Sequence, residues 1–281
     1  MTIPAESPGR WLDALADRIN GLDEADHDAL QTYLGESRIG HDLIAPVIEP
    51  GLRVLEVGSG IGALGHYLAS RGIDIRGIEP AESGFDRMSR LAERVSAAAG
   101  TTGFSASARS AEDLDPDTDG SFDLIYSVHV LEHLPDPEAA LAAMNGVLKP
   151  GGTMVHLCPN YRFAYDPHFA IPIPFWSPAL TRAIFARRIE AHREVWDGLN
   201  FIGAGRLARI ARTEGLSVRF HPGVMAATFA RLNNDPVFRA RHDGLAGRLA
   251  GWTAKGPFAG WLRAIPPQWA SPMAVTLSKP V

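Results

Sequence analysis

The sequence predicts an α/β fold in which a parallel sheet is doubly wound, with helices on both of its faces. Between residues 53 and 157, short apolar runs alternate with segments of helical spacing. The first apolar run, Val54, Leu55 and Val57, has the character of a buried strand and passes into a helical pattern through a glycine-rich turn. Alternating strands and helices favour parallel strands joined by crossover helices.

The elements follow one another in a regular order. Strands are predicted at 53–57, 74–78, 103–106, 122–127, 153–157 and 217–220, with helices at about 62–70, 83–99, 137–147 and 204–214. Residues 11–34 have helical spacing broken near Gly21 and predict a helical cap in front of the sheet. Residues 158–176 are rich in proline and aromatic residues and predict no regular element.

Two segments outside this pattern resemble insertions. An amphipathic helix is predicted from Pro178, with Leu180, Ile184, Phe185 and Ile189 on one side. A second segment, 223–268, carries apolar residues among many arginines, namely Phe238, Leu245, Leu249, Trp252, Phe258 and Trp261.

The stretch Arg53-Val-Leu-Glu-Val-Gly-Ser-Gly-Ile-Gly62 is the most informative motif. Its small residues let the backbone close on a ligand at the N-terminus of the following helix. Alone it would equally fit a dinucleotide fingerprint. Three later landmarks follow at the expected places: Glu79 after the second strand, His129-Val-Leu-Glu-His133 after the fourth, and Leu148-Lys-Pro-Gly-Gly152 before the fifth.

This ordered set resembles the class I S-adenosylmethionine-dependent methyltransferases, particularly the branch of ubiquinone- and menaquinone-biosynthesis enzymes and natural-product or sugar O-methyltransferases. The resemblance covers residues 51–160 well, and 201–222 and 272–280 more loosely. It implies a Rossmann-like, seven-stranded, mostly parallel sheet whose last strand, within Met273–Pro280, is antiparallel, with helical lid insertions over the strand ends. The implied organisation is an N-terminal helical cap (1–50), a cofactor-binding core (51–160), a lid (161–200), continued core (201–222), a second insertion (223–268) and the last strand (269–281).

The same resemblance implies a cofactor, S-adenosyl-L-methionine, with S-adenosyl-L-homocysteine as product. Glu56 would hold the amino group of its methionine part, and Glu79 the ribose hydroxyls. Either Glu112 or Asp113 would contact the adenine, and the sequence does not decide between them. Arg38 would reach the methionine carboxylate or form a surface salt bridge, and both alternatives stay open. The implied cofactor-binding residues are Glu56, Gly58, Ser59, Gly60, Gly62, Glu79, Pro80, Ala111, Glu112, Asp113, Ser127 and His129.

Methyl transfer to a hydroxyl requires a proton acceptor, and a placed base typically adds about 10²–10⁴ in rate. His168, in Tyr165-Asp-Pro-His168, is the preferred base, with Tyr161 to orient an acceptor. His133 is either a base or a structural residue. The spacing His129-x-x-Glu132-His133 matches an inverted zinc-protease signature, but it follows a strand and meets Pro135, so no metalloprotease site is expected. Asp166 with His168 could bind a divalent ion, but two ligands are too few to define a metal site, and none is predicted.

Composition limits the remaining classes. The single cysteine, Cys158, excludes a disulfide framework and suits a reducing cytoplasm. No apolar run is long enough for a transmembrane helix. Residues 1–177 carry 12 Lys and Arg against 26 Asp and Glu, whereas residues 178–281 carry 15 against 6. The basic part either meets an anionic partner, such as a membrane surface, or covers solvated helix faces.

The predicted function is methyl transfer to a hydroxyl oxygen of a small-molecule, sugar or lipid-linked acceptor, with contact to a membrane surface as an option. The segment Tyr126-Ser-Val-His129 differs from that of enzymes that methylate base nitrogens, so no nucleic-acid partner is expected. Two alternatives are a nicotinamide-dependent oxidoreductase, which Glu56 and Pro150-Gly-Gly152 argue against, and a cofactor-binding protein without turnover. The sequence does not specify an oligomeric state.

Overall fold

A seven-stranded sheet with the order β3-β2-β1-β4-β5-β9-β8 forms the centre of the fold. In this computed structural model the described residues are 7–80, 86–235, 238–239, 253 and 258–281. Strands β2, β1 and β4 are parallel, and β8 and β9 pair antiparallel, which confirms the predicted fold class. The strands are β1 (Arg53–Val57), β2 (Asp74–Ile78), β3 (Ala106–Ser107), β4 (Phe122–Val128), β5 (Leu148–Cys158), β8 (Ser217–Phe220) and β9 (Met273–Ser278), with β6 (Tyr165–Asp166) and β7 (Ile171–Pro172) in a separate hairpin.

Helices and turns connect these strands. The helices are α1 (Pro8–Arg18), α2 (Glu24–Ile44), α3 (Ala63–Ser70), α4 (Asp86–Ala99), α5 (Pro116–Asp119), α6 (Pro137–Gly146), α7 (Pro178–Ile184), α8 (Ala186–Glu190), α9 (Arg193–Asp197), α10 (Ala204–Thr213), α11 (Val224–Asn234) and α12 (Phe258–Ala264). The predicted break near Gly21 is confirmed, because α1 ends at Arg18 and α2 begins at Glu24. None of the helices in the described ranges is long and apolar enough to cross a bilayer.

The chain divides into two compact units. One comprises the described residues up to Val128, with Ala142–Val155 and Val281; the other comprises His129–Leu141 and the described residues from His156 to Pro280. In the first unit, helices α1, α2 and α4 share a core that contains Leu12, Leu15, Leu30, Leu34 and Leu91. Each fully buried leucine stabilises this core by about 1.5–3 kcal/mol.

The second unit has an aromatic core of its own. Phe169 and Trp196 meet edge to face with ring centroids 5.5 Å apart, and Tyr161 meets Phe201 in the same way at 5.0 Å. Tyr161, Phe169 and Trp196 are at most 5% exposed. This core holds the segment around the β6–β7 hairpin in a defined shape.

Four predicted elements differ from the structure, and the first is the fifth strand, which begins at Leu148 and not at residue 153. The third strand is Ala106–Ser107 and not 103–106, because Phe104 packs against Gly62 and Gly65 at the start of α3 instead of joining the sheet. The segment 158–176 does contain regular structure, the β6–β7 hairpin, in which Pro172 occupies an end position where no amide donor is required.

The long helix predicted from Pro178 is broken into α7, α8 and α9. Phe185 leaves the helical region, with φ −106° and ψ 26°, and separates α7 from α8. The predicted apolar side is consequently divided, since Ile189 is fully buried whereas Leu180 and Ile184 are 39% and 56% exposed. The residues Leu245, Leu249 and Trp252 of the second predicted insertion lie outside the described residues, as does the start of the helix predicted at 83–99.

Candidate active site

The glycine-rich turn between β1 and α3 is held against the end of β2. The amides of Gly58 and Ser59 both donate to the carbonyl of Ile78, at 2.9 and 3.1 Å. The amide of Gly60 donates to Oε2 of Glu79 at 2.8 Å. Glu79 therefore fixes the turn from the side chain while its neighbour Ile78 fixes it from the backbone.

Left-handed backbone conformations make glycine necessary in this turn. Gly58, Gly60 and Gly62 have φ values of +73°, +53° and +73°, which L-residues with a Cβ rarely adopt. A Cβ at Gly62 would also lie 2.9 Å from Cε1 of Phe104. The turn is thus shaped for close approach by a ligand at the start of α3.

Glu56 is a buried carboxyl group close to this turn. Its side chain lies on β1, the residue is 7% exposed, and Oε2 has no hydrogen-bond partner among the described residues. Burial raises the pKa of Glu56 to about 8; the Tyr126 hydroxyl opposes that rise, and the Glu79 carboxylate adds to it. A buried carboxyl group with a raised pKa can bind a cationic group, because the positive charge would stabilise its ionised form.

Apart from His129, which belongs to the second unit, the other residues predicted to bind the cofactor lie at or near the ends of neighbouring strands in the first unit. Ser127 is fully buried on β4 and pairs in register with Val57 of β1. Ala111 is buried in a 3₁₀ turn, Ala111–Asp113, that follows β3. The carboxylate of Asp113 closes this turn by accepting from the amide of Ser110 at 3.2 Å. Pro80 directly follows Glu79 and is half-buried.

Arg38 forms a surface salt bridge in this structure. Its guanidinium group contacts the carboxylate of Asp13, and both side chains are at least one-third exposed. Of the two alternatives that the sequence leaves open for Arg38, this contact matches the second.

The second unit contains a buried carboxylate surrounded by histidines, which we call the Glu132 cluster: Glu132, His129, His133 and His168. Glu132 is fully buried in a 3₁₀ turn, Leu131–His133. Its Oε1 lies 3.6 Å from Nδ1 of His129 and 4.0 Å from Nε2 of His168. The rings of His133 and His168 meet edge to face, with centroids 5.1 Å apart.

The charge of Glu132 depends on these neighbours. Burial by itself raises the pKa of Glu132, but the facing imidazoles of His129, His133 and His168 bring it below the ordinary value. Partial burial of the ring lowers the pKa of His133. The cluster therefore combines an ionised carboxylate with an imidazole that is neutral at pH 7 and able to accept a proton or bind an ion.

Asp166 orients His168 from the other side of its ring. Nδ1 of His168 lies 3.3 Å from Oδ2 of Asp166. Asp166 is fully buried and accepts from the hydroxyl of Tyr161 at 2.7 Å and from the amide of Phe169 at 2.8 Å. These hydrogen bonds outweigh the effect of burial and lower the pKa of Asp166. Nε2 of His168 is thereby turned toward Glu132.

Tyr161 and Asn200 support the cluster. Burial and the hydrogen bond to Asp166 raise the pKa of Tyr161, so its hydroxyl acts as a fixed donor and not as a base. The side-chain amide of Asn200 donates to the carbonyls of Leu131 and Leu134, at 2.7 and 2.9 Å. Its backbone N–H donates to the backbone carbonyl of Glu132. Sequence reasoning missed Asn200 because no motif surrounds it.

The backbone at the start of the cluster is strained. His129 follows β4 with φ +56°, an uncommon value for a residue other than glycine. Its amide donates to the carbonyl of Leu157 at 2.8 Å, which holds the chain in this conformation. Strain of this kind concentrates at functional sites.

Comparisons with known proteins agree with the fold and the motifs. Residues 33–219 match a family model described as a methyltransferase domain. An uncharacterised protein of Mycobacterium tuberculosis is 35% identical over 209 residues, which are 72% of this chain and 68% of that protein. The ubiquinone biosynthesis O-methyltransferase of Xanthomonas campestris is 37% identical over 110 residues, which are 39% of this chain and 44% of that enzyme.

Several solved structures are similar over most of the chain, and the [4+2]-cyclase SpnF is an example. The crystal structure of the [4+2]-cyclase SpnF matches with a TM-score of 0.55 and 23% identity, covering 87% of this chain and 81% of that one. At this identity the match demonstrates a shared fold.

Proposed function

The chain belongs to the S-adenosylmethionine-dependent methyltransferases, and from that membership we propose that it methylates a hydroxyl oxygen of a small-molecule, sugar or lipid-linked acceptor. The observation that carries the oxygen assignment is the Glu132 cluster with its oriented imidazole, because a hydroxyl must lose its proton during the transfer. The partial match to an enzyme named as an O-methyltransferase supports the same chemistry.

The residues of the first unit fit the cofactor. Glu56 offers a buried oxygen without a hydrogen-bond partner among the described residues, suited to an ammonium group, and the glycine turn offers a surface without side chains. We assign Glu79 to the ribose hydroxyls. Because the Asp113 carboxylate already closes its own turn, we favour Glu112 over Asp113 for the adenine. When bound, the cofactor supplies a methyl group on a sulfonium, which departs as a neutral thioether.

Replacing Glu79 tests the ribose assignment. Glu79→Gln keeps an oxygen that can accept from the Gly60 amide but removes the charge. Hydrogen bonds to charged groups contribute about 1.5–3 kcal/mol, so we expect S-adenosylhomocysteine to bind roughly 10–150-fold more weakly in a calorimetric titration. Glu49→Gln, at an exposed position, is the matched control. Affinity within a factor of about two of the wild type for Glu79→Gln would refute the assignment.

On the acceptor side, we assign His168 as the base and Asp166 as its positioning residue. With Nδ1–H directed at Asp166, the lone pair of Nε2 is available to take the hydroxyl proton. The nearby Glu132 carboxylate would then stabilise the imidazolium that forms. We assign Tyr161 to holding Asp166, and His133 to the wall of the same site.

The kind of atom that is methylated can be measured directly. Incubating the protein with S-adenosylmethionine carrying a ¹³C-methyl group and an extract of its native host labels the acceptor at one carbon. We expect the new ¹³C resonance to fall in the methoxy region of the spectrum. A resonance in the N-methyl or C-methyl region would overturn the oxygen assignment while leaving methyl transfer itself intact.

Exposed aromatic side chains support an acceptor that is reached at a lipid surface. Phe175, Trp176 and Trp261 are 85%, 64% and 65% exposed, and aromatic residues of this kind favour the membrane interface. Arginine charge gives weaker support, because several arginines in residues 178–281 are paired with carboxylates at the surface. These pairs are Arg182–Asp197, Arg193–Asp197, Arg206–Glu138 and Arg231–Asp235.

The fold by itself does not require methyl transfer, since a protein named as a cyclase shares it. A protein that binds the cofactor without turnover would bind S-adenosylhomocysteine but transfer no label to any acceptor. A nicotinamide-dependent oxidoreductase would bind NAD instead.

We place the reaction in the cytoplasm, in keeping with the single, buried Cys158.

A further inference from the structure

We propose that Arg162, Trp176 and Trp269 form a sugar-binding surface, which we call the indole platform. Its partner is a pyranose ring of a neutral glycan. The inference rests on the proposed function and deepens it, because it selects an acceptor that carries sugar rings from the small-molecule, sugar and lipid-linked classes. All three residues belong to the second unit.

The side chain and the backbone of Arg162 join two exposed indoles. The guanidinium group lies over the ring of Trp269, with Cζ 3.5 Å from the ring centroid. The carbonyl of Arg162 accepts from Nε1 of Trp176 at 2.9 Å. Trp176 and Trp269 nevertheless remain 64% and 49% exposed. Segments that are distant in the sequence thus present aromatic and guanidinium groups on one surface.

A buried asparagine fixes the backbone beneath this surface. Asn160 is fully buried, and its Oδ1 accepts from the amide of Arg162 at 3.2 Å. Its Nδ2 donates to the carbonyls of Gln268 and Ala270, on either side of Trp269, at 3.1 and 2.9 Å. One side chain therefore joins the segments that carry Arg162 and Trp269. A surface held in this way is preorganised, so that few groups lose freedom when a ligand binds.

The backbone that carries Trp176 is strained. Phe175 and Trp176 both have φ +52°, a value that residues with bulky side chains rarely adopt. Burial does not compensate for this strain, because both side chains are mostly exposed. The hydrogen bond from Nε1 of Trp176 to Arg162 holds the indole at the platform. Strain that is retained at exposed aromatic residues indicates a functional surface.

The chemistry of the platform matches a sugar ring. A pyranose presents C–H groups on its face and hydroxyl groups around its edge. The face of an indole has negative electrostatic character and attracts the C–H groups. A guanidinium group offers planar N–H donors to hydroxyl oxygens, and Arg162 is exposed. The platform therefore provides for both parts of a pyranose.

A lipid chain fits this surface less well than a sugar does. It would surround the guanidinium group of Arg162 with apolar groups, and a charge without a partner is costly to bury. A sugar leaves the N–H groups in contact with hydroxyls and water. The platform therefore binds the glycan part of an acceptor, whether or not a lipid is attached to it.

The platform begins next to the acceptor-side cluster. Arg162 directly follows Tyr161, whose hydroxyl donates to Asp166. Asp166 in turn contacts Nδ1 of His168, the assigned base. A glycan held at Arg162 and the two indoles thus has a neighbouring ring directed to the site of methyl transfer.

Retention on immobilised glycan tests the platform without any methyl transfer. Glycans of the native host, freed of lipid and protein, are coupled to a resin, and retention of the full chain is compared with that on the bare resin. We expect the wild type to be retained. Trp176→Ala and Trp269→Ala should each weaken binding at least about tenfold, as truncation of a central tryptophan often does. Trp261→Ala, which removes an exposed indole of the same unit, is the matched control and should be retained as the wild type is.

The proposal is overturned if the wild type is not retained, or if Trp176→Ala and Trp269→Ala are retained equally with it. An equal loss in Trp261→Ala would also contradict it, because general adhesion of aromatic side chains would then explain the retention. If thermal denaturation shows that a tryptophan variant does not fold, Arg162→Ala at an exposed position provides the reading. Methyl transfer without glycan retention would remove the platform and leave the proposed function. Glycan retention without methyl transfer to any acceptor would do the reverse.

Discussion

Turnover is expected to fall by about 10²–10⁴-fold when His168 is replaced with alanine, which is the usual contribution of a placed general base. The affinity for S-adenosylhomocysteine should stay within about a factor of two of the wild type, because His168 belongs to the acceptor-side cluster and contacts Asp166 and Glu132. Initial rates at saturating cofactor, compared with a calorimetric titration of each variant, separate the two effects.

His192→Ala is the matched control for this substitution. It removes an exposed imidazole from the same unit, and we expect it to leave both turnover and affinity unchanged. If His168→Ala retained the turnover of this control, His168 would have no part in the chemistry. A fall in cofactor affinity equal to the fall in turnover would instead point to a folding defect.

The stability of the cofactor-free protein is expected to decline between pH 4.5 and about 8 because of Glu56. Its pKa rises from 4.5 to about 8 on folding. The folded state therefore holds this proton more tightly than the unfolded state does. The resulting stabilisation is complete below pH 4.5 and is lost as the pH rises through about 8, in total on the order of 4 kcal/mol.

Glu56→Gln should abolish this pH dependence, because an amide of the same shape does not ionise. We expect the variant to melt near the wild-type temperature at pH 5 and on the order of 10 °C above it at pH 9 in thermal denaturation without ligand. Glu49→Gln should follow the wild type at both values. A Glu56→Gln difference that is the same at pH 5 and pH 9 would show that Glu56 is not a buried, proton-holding carboxyl.

Saturating S-adenosylhomocysteine should reverse the order of stability at pH 9. Its ammonium group would stabilise the ionised Glu56 of the wild type but gain less from the glutamine. The same substitution thus stabilises the free protein and weakens the complex, a combination that a purely structural Glu56 would not produce.

The cofactor half of the fold could be predicted from sequence because its determinants are local. The turn after β1 needs left-handed glycines, and Gly58, Gly60 and Gly62 stand where those conformations occur. The bounds of β3 could not be predicted in this way, because they depend on a tertiary contact. The apolar Phe104 packs against Gly62 and Gly65 at the start of α3, and β3 consists of Ala106 and Ser107.

The acceptor side depends on contacts between distant residues. His168 is 36 positions beyond Glu132, and its ring reaches that carboxylate because the β6–β7 hairpin and its aromatic core bring it there. The spacing His129-x-x-Glu132-His133 is visible in the sequence, but the complete burial of the Glu132 carboxylate is not. The prediction of one helix from Pro178 was wrong for the same reason. Tertiary packing buries Ile189, and the helix is interrupted at Phe185.

Transfer of a radiolabelled methyl group from S-adenosylmethionine into an extract of the native host tests the proposed function most directly. The extract is separated into aqueous small molecules, lipids and polymers, and the wild type is compared with His168→Ala. We expect label in a lipid, glycan or small-molecule product with the wild type and a loss of about 10²–10⁴-fold with the variant. No label in any fraction from a protein that binds the cofactor, or label confined to nucleic acid, would contradict the proposal.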